Sequence, residues 1–391
     1  MALRTRNLAQ LFKVETTEGQ DASPTPSADA ALVSNPERPA PDPNVIDNQT
    51  ASGSLDTDAP IVGGMTFQWS TDLILKGSGT VGTAPEWGTV MRACGFAEIT
   101  QSPVPTSGTT TATGGTTTSF DVDTTTDTDW SSEDGAYLGM PVELSGNPTG
   151  PVITFVTGYT VSGGTATVEV AHKFETALDT STEAKILENV TYAPASQNIP
   201  SLTSYTYMDG LLYKVLGVRG SLQLPVTAGR EARAQISWRG IFGGKEDASV
   251  PDVSLDPTRE PIWKNGLMLL DGRQIALQSL SLNTNASLVN PDDPNQAEGF
   301  GSTIMTMRDM QGSLDPLTEL VANYDPLARF RNGTEQRMAA LLGRTAGNRL
   351  GVVIPRGKYR NVGPSSRDDL ASEDISFSAV GNDSGAFVTV F

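Results

Sequence analysis

Cysteine and histidine are almost absent from this sequence of 391 residues, which contains one of each. The lone cysteine, Cys94, cannot form an intrachain disulfide, and a cysteine-based zinc site is excluded as well. Catalytic sites of the Ser-His-Asp and Cys-His types require a histidine, so each of them would have to use His172. The sequence therefore predicts no catalytic residue, no metal site and no cofactor site, and we expect that the protein is not an enzyme.

Basic residues and long apolar runs are also scarce. There are 27 Lys and Arg against 45 Asp and Glu, which gives a net charge of −18. This balance argues against sequence-independent binding of nucleic acid or of an anionic membrane, since both need clustered positive charge. Residues 1–19 lack the apolar run of a signal peptide, and no segment approaches the length of a membrane span. We expect synthesis in the cytosol, no membrane contact, and release by lysis if the protein acts outside the cell.

Turn-forming residues are abundant. The chain has 39 glycines and 25 prolines, together with many Thr and Ser, and only 18% of its residues are charged. This composition favours β-structure with many turns over helical bundles. The length exceeds the usual limit for one hydrophobic core, so two or three domains are expected.

The stretch from Met65 to Phe96 predicts a strand, a turn and a short helix. Apolar and polar residues alternate over 65–75, as in a half-buried strand. The helix is predicted to begin at a capping box, Thr83-x-x-Glu86, and to end at Gly95. Its apolar face comprises Trp87, Val90, Met91 and Cys94, and the cysteine is expected to be a buried structural thiol.

The stretch from Thr303 to Phe330 repeats this plan. Asp315 is a suitable N-cap, Pro316 would occupy the first helical position, and Pro326 would end the helix. The predicted apolar face comprises Leu317, Leu320, Val321 and Tyr324. One strand-helix unit that occurs twice indicates a duplicated domain.

Three sequence patterns have a functional interpretation and a simpler structural one. Gly77-x-Gly79-x-x-Gly82 lies between a strand and a helix, as a dinucleotide fingerprint does, but the strand before it alternates and no compact βαβ unit follows. We therefore prefer a plain glycine-rich loop.

The other two patterns are acidic. Asp121, Asp123, Asp127 and Asp129 resemble a metal-binding loop, but they lack the glycine and the closing glutamate of a calcium hand, so a solvated loop is preferred. Asp292 and Asp293 are flanked by prolines, and a turn explains them without catalysis.

Composition also divides the chain. The segment 101–189 is rich in Thr, Gly and Asp, with 12 acidic residues against Lys173 and Lys185, so that about −10 of the net charge lies there. We expect a small β-domain, inserted through flexible Thr-rich linkers and placed on the outer surface. Residues 1–60 are expected to be an extended N-terminal arm that orders against a neighbouring subunit, in preference to a disordered tail. The rest of the predicted division is a first unit (61–100 and 190–243), the insert (101–189), a linker (244–258) and a second unit (259–391).

Five segments, taken in order, carry a resemblance to a known family. They are Val14–Thr25 (VETTEGQDASPT), Ala84–Phe96 (APEWGTVMRACGF), Tyr207–Gly220 (YMDGLLYKVLGVRG), Leu277–Leu282 (LQSLSL) and Asp315–Ala322 (DPLTELVA). The sequence resembles the major tail tube proteins of long non-contractile tailed bacteriophages. The resemblance covers both units and the arm, and it leaves the insert without a counterpart.

This resemblance implies a mainly β fold: two tandem β-sandwich or partial-barrel units, each with a short flanking helix. It also implies a structural subunit of the virion, synthesised in the host cytoplasm, whose stacked rings form the conduit for DNA from capsid to host. Three chains would close a ring with pseudo-sixfold symmetry, in preference to six chains. The tape measure protein, the tail terminator and the distal tail protein are the implied partners, and DNA passes without specific binding.

Two other functions stay open at this point. A receptor-binding or carbohydrate-adhesion protein of the tail would use the Thr-rich insert and the five tryptophans. An enzyme would use the glycine-rich loop to hold a nucleotide.

Overall fold

The computed structural model describes residues 3–35, 37–48, 53, 55–56, 58–147 and 150–391. About 50% of the chain is strand and 3% is helix, which confirms the prediction of a mainly β fold. The strands form a 16-stranded sheet, a seven-stranded sheet and a two-stranded ribbon. The sheets include a curled half-barrel.

The elements are numbered in chain order, and the seven-stranded sheet is called the second sheet. The elements on either side of it in the chain are given first. They are β1 (Leu8–Val14), β2 (Ala40–Ile46), β3 (Ile61–Ile74), α1 (Gly88–Ala93) and β4 (Phe96–Gln101), followed after the second sheet by β12 (Asn189–Pro194), β13 (Leu202–Met208), β14 (Leu211–Thr227) and β15 (Arg233–Asp247). The second sheet comprises β5 (Thr110–Thr111), β6 (Gly114–Gly115), β7 (Ser119–Asp123), β8 (Pro141–Ser145), β9 (Val152–Ser162), β10 (Thr165–Val170) and β11 (Glu183–Ile186).

The remaining elements complete the large sheet and the ribbon. They are β16 (Leu267–Leu270), β17 (Arg273–Gln274), β18 (Leu277–Asn283), β19 (Ser287–Val289), β20 (Ile304–Met307), β21 (Gln311–Pro316), α2 (Pro326–Asn332), β22 (Glu335–Leu342), β23 (Leu350–Arg367), β24 (Leu370–Ala379) and β25 (Phe387–Val390).

One connection scheme occurs twice in the large sheet. In the first copy, the strand before the helix, β3, pairs with the last strand of a meander that follows the helix, giving the order β13-β14-β15-β3. In the second copy the order is β22-β23-β24-β21. We call these the first and second repeats. They are joined where β18, the neighbour of β21, pairs with the second half of β14.

Both repeats run in the same direction along the sheet. Every step from β14 through β18, β21 and β24 to β23 is antiparallel, so β14 and β23 are parallel to each other. The second repeat is therefore related to the first by a displacement along the large sheet, with no reversal.

The first predicted helix is present but shorter than expected. It begins after Trp87, which is the N-cap without a side-chain hydrogen bond, so the predicted capping box at Thr83 and Glu86 is wrong. Its C-terminal end agrees with the prediction, because Gly95 has a φ of 85°. The four residues of the predicted apolar face are all buried, including Cys94.

The second predicted helix is wrong in position. Residues from Gln311 to Pro316 form a strand that pairs on both sides, with β18 and β24. The helix begins only at Pro326, and the side chain of Asp325 accepts a hydrogen bond from the Ala328 N–H. Asp-Pro occurs twice in this stretch: Asp315-Pro316 lies in strand β21, and Asp325-Pro326 begins the helix. Leu320 and Val321, predicted to be buried, are 77% and 75% exposed.

The N-terminal segment is ordered by its own chain. Strand β1 pairs along its whole length with β13, and β2 pairs with β3. The Glu15 carboxylate is buried and accepts hydrogen bonds from the N–H groups of Gly19 and Gly217 at 2.7 and 2.8 Å, and from the Ser201 hydroxyl at 2.6 Å. The expectation that this arm needs a neighbouring subunit to become ordered is therefore wrong for these residues.

The second sheet lies wholly within the predicted insert and has its own core, with Phe120, Trp130 and Val142 among its buried residues. It is not loosely tethered, contrary to the expectation of flexible linkers. Phe155 and Ala171 pack with residues of the large sheet in a separate buried cluster. The ring of Phe155 meets that of Phe391 edge-on, at 6.0 Å between centroids.

Candidate assembly surfaces

The hairpin of β2 and β3, which we call hairpin A, carries apolar side chains out of the core. The buried face of β3 includes Phe67. A bulge at Gly64, whose φ is 121°, shifts the alternation by one residue, so that Val62 continues the face on which Phe67 lies. Beyond the bulge the cross-strand pairs are apolar and largely exposed: Val45 (48%), Ile46 (51%), Ile61 (53%) and Val62 (60%). Exposed apolar groups in register on two strands mark an interaction surface.

The ribbon of β19 and β20, which we call hairpin B, has the position in the second repeat that hairpin A has in the first. It connects β18 to β21, as the tip of hairpin A connects β2 to β3. Hairpin B folds back onto the first repeat of its own chain. The Thr303 N–H donates to the Gly217 carbonyl at 3.0 Å, and Arg239 Nε donates to the Asn290 side chain at 2.7 Å.

Hairpin B and the residue after it also reach the end of α1. Arg308 Nη1 donates to the carbonyl oxygens of Gly95 and Ala195, at 2.7 and 3.1 Å. The sulfur of Met305 lies so near Gly95 that a Cβ there would be 3.0 Å from it. This contact buries the C-terminal end of the first helix under the second repeat.

The end of α2 has no such cover from the residues that the structure describes. Gly333, with a φ of 62°, follows α2 as Gly95 follows α1. Of the described side chains, that of Lys358 alone lies within 4 Å of a Cβ placed at Gly333. On the helix itself Leu327 is 55% exposed and Phe330 is 38% exposed. The two helix ends thus differ in whether a hairpin packs against them.

Strand β23 has one free edge. Its second half, residues 360–367, pairs within the described part of the chain with β24 alone. The corresponding half of β14 pairs on both sides, with β15 and with β18. At the opposite edge, Pro41 and Pro43 remove two N–H donors from β2, a common way to protect an edge strand.

Two short polar networks fix hairpin B and α2, and sequence reasoning missed both. The Arg219 guanidinium is buried and donates to the Thr303 carbonyl and to the Glu18 carboxylate. Beside α2, the Tyr324 and Tyr359 hydroxyls share a hydrogen bond, and burial raises the pKa of Tyr324 to about 12. Partners so far apart in the sequence leave no local signal.

The glycine-rich loop is packed against the second repeat. The Gly77 N–H donates to the Asn348 side chain at 2.8 Å, and the Gly79 N–H donates to the Gly347 carbonyl at 3.1 Å. Helix α1 begins only at Gly88, so these amides do not open onto a helix N-terminus. A phosphate cradle needs free amides, and the loop interpretation is therefore the better one.

The carboxylates of the acidic loop bind threonines. Asp123 accepts hydrogen bonds from the hydroxyl and the N–H of Thr125, which lower the pKa of Asp123 to about 2. The Asp121 carboxylate accepts a hydrogen bond from the Thr167 hydroxyl at 2.7 Å, and the Asp129 carboxylate accepts one from the Thr106 N–H. Within the described ranges, no group of three or more His, Cys, Asp or Glu side chains could hold a metal ion.

Asp292 and Asp293 lie in the loop of hairpin B. The Asp293 side chain accepts hydrogen bonds from the N–H and the side chain of Asn295, at 3.0 and 2.9 Å. Asp292 forms an isolated bridge with Phe300. These contacts are those of a turn, as the sequence predicted.

The side chains of His172 and Cys94 are both packed within the fold. His172 is half-buried, its ring meets Phe174 edge-on at 4.7 Å between centroids, and burial lowers its pKa. Its neighbour Lys173 donates its N–H to the Gly272 carbonyl, which places the histidine where the two sheets meet. Burial raises the pKa of the Cys94 thiol.

All five tryptophans are buried: Trp69, Trp87, Trp130, Trp238 and Trp263. A sugar-binding platform needs an accessible aromatic face, so none of them can serve as one.

No family model and no curated protein matches this chain. The resemblance to tail tube proteins therefore rests on the five sequence segments. None of the helices in the described part of the chain has the length and apolar character needed to cross a membrane.

Proposed function

We propose that this protein is the structural subunit of a phage tail tube, and that its rings stack into the conduit for DNA. The observation that carries the proposal is the repeated strand order of the large sheet, with both repeats in the same direction. An object built from equal units displaced in one direction around a curved sheet can close on itself by adding further units. Three chains with two repeats each form a pseudo-sixfold ring.

The unpaired surfaces of the chain support the same proposal. Hairpin A and the end of α2 expose apolar side chains, and residues 360–367 leave one edge of β23 free. Such features are a hazard in a monomer, and they become joints in an assembly. Because these surfaces differ from one another, the contact between chains is heterologous, which is the kind that builds rings and filaments.

Localisation and partners follow from the proposed function. The protein is a component of the virion, assembled from subunits made in the host cytoplasm, and its partners are further copies of itself, the tape measure protein, the tail terminator and the distal tail protein. DNA passes through the lumen without specific contacts. The excess of acidic residues is consistent with this, since phosphate binding needs clustered Lys and Arg.

Electron microscopy of the purified protein after self-assembly tests the proposal. We expect hollow tubes of stacked rings. A compact particle at every concentration, together with affinity for glycans, would instead support the tail adhesion function.

A further inference from the structure

Among the contacts between the two repeats, that of hairpin B with the end of α1 predicts another between chains. Hairpin B, in the second repeat, packs against the end of α1 in the first repeat. Hairpin A is the counterpart of hairpin B, and α2 is the counterpart of α1. The counterpart of the internal contact is therefore one between hairpin A and the end of α2, and the described residues of one chain do not make it.

We propose that the apolar tip of hairpin A packs against the C-terminal end of α2 in a second copy of the chain. The proposal rests on the ring of the proposed function, because it places the first repeat of each copy beside the second repeat of the next. Beyond the ring itself, the proposal specifies which two surfaces meet and that side chains form the contact.

Position supports this pairing. Gly95 and Gly333 both follow their helices in the left-handed region, with φ of 85° and 62°. At Gly95 the adjoining space is filled by Met305 and Arg308 of the second repeat. At Gly333 the described part of the chain leaves the corresponding space open except for the end of the Lys358 side chain.

The chemistry of the two surfaces is complementary. Hairpin A offers Val45, Ile46, Ile61 and Val62, all about half exposed. The receiving surface offers Leu327 and Phe330 on α2, preceded by Leu320 and Val321. Covering both surfaces removes apolar area from water, which favours association.

The contact does not require a continued sheet at the tip. Pro41 and Pro43 deprive β2 of two donors, so this edge is a poor template for a new strand. An apolar contact formed by Val62 and its neighbours is compatible with these prolines. The prolines also protect the free subunit against edge-to-edge aggregation.

Charge substitutions test the proposal in the full-length chain. In Val62→Asp we expect the protein concentration needed for assembly to rise about tenfold or more, because a carboxylate enters an apolar contact. The fold should be unchanged, since Val62 is 60% exposed. Ile262→Asp is the matched control: Ile262 is 49% exposed and belongs to neither surface, so assembly should be unchanged.

A disulfide test reads the contact itself. Val62→Cys and Phe330→Cys are prepared as two separate proteins, mixed under assembly conditions and oxidised. We expect a covalent dimer from the mixture and none from either protein alone. The native Cys94 is buried and should not react. A mixture of Val62→Cys with Ile262→Cys should give no dimer.

The outcomes separate this inference from the proposed function. If the wild-type protein forms tubes, and Val62→Asp forms them at the same concentration without a Val62–Phe330 cross-link, the contact is wrong and the function stands. If the wild-type protein forms no ring or tube, both fail. An effect of Ile262→Asp equal to that of Val62→Asp would also contradict the contact, because the charge would then act without regard to position.

Discussion

Gln101 and Asn189, the two ends of the insert, lie directly opposite each other in the antiparallel pair of β4 and β12, although residues 102–188 separate them in the chain. The insert therefore leaves and re-enters the large sheet at one point, as an enlarged hairpin loop. An insertion between paired residues disturbs no strand of the sheet, which explains how the fold holds a second sheet there.

This relationship predicts that the insert can be removed. Residues 102–188 are replaced by an Asn-Gly turn, which suits a two-residue hairpin. We expect tubes that still form and look thinner or smoother by electron microscopy. The control is circular dichroism of the free subunit, because Phe391 and its neighbours lose the cover of Phe155. A folded variant that cannot assemble would show that the insert makes essential contacts.

The buried carboxylate of Glu15 is expected to hold the N-terminal segment on the first repeat. Glu15→Ala leaves several buried donors unpaired, including the Gly217 N–H, and should lower the free energy of unfolding by about 2–4 kcal/mol. Chemical denaturation measures this difference. Glu175→Ala, at an exposed glutamate, is the control and should change stability by less than about 0.5 kcal/mol. Equal effects of the two substitutions would refute a structural role for Glu15.

Much of the strand pattern was predictable from the sequence, because alternation and turn signals are local. Asp-Gly is typical of two-residue hairpin turns, and Asp209-Gly210 and Asp271-Gly272 each connect two consecutive strands. The second helix was not predictable, because residues from Gln311 to Pro316 are held as a strand by β18 and β24, and no local pattern reports those partners. The assembly surfaces could not be predicted from the sequence for the same reason, because the exposure of Val62 depends on where the neighbouring strands end.

The start of α2 can be tested directly. Asp325→Ala removes the N-cap and should lower the free energy of unfolding by about 1 kcal/mol, whereas Asp325→Asn should cost little, since asparagine is a good cap. Urea unfolding of the three proteins provides the comparison. If the alanine variant is as stable as the wild type, the cap assigned to Asp325 is wrong.

His172 predicts a pH dependence of stability. Its pKa in the folded protein lies below the unfolded value of about 6.5, because burial disfavours the cation. Between these two values the unfolded chain binds more protons than the folded one, so stability falls as the pH falls from about 6.5. His172→Asn should flatten this part of the curve, which thermal unfolding at pH 7.5, 6.5 and 5.5 will measure. An unchanged slope would assign the effect to other groups.

Three chains, each with two repeats, should be equivalent to a ring of six units. Cryo-electron microscopy of assembled tubes measures the number of chains in each ring. We expect three chains per ring, six similar wall segments, and hairpin A against α2 of the adjacent copy. A ring of six whole chains, or a compact particle without a channel, would contradict this expectation.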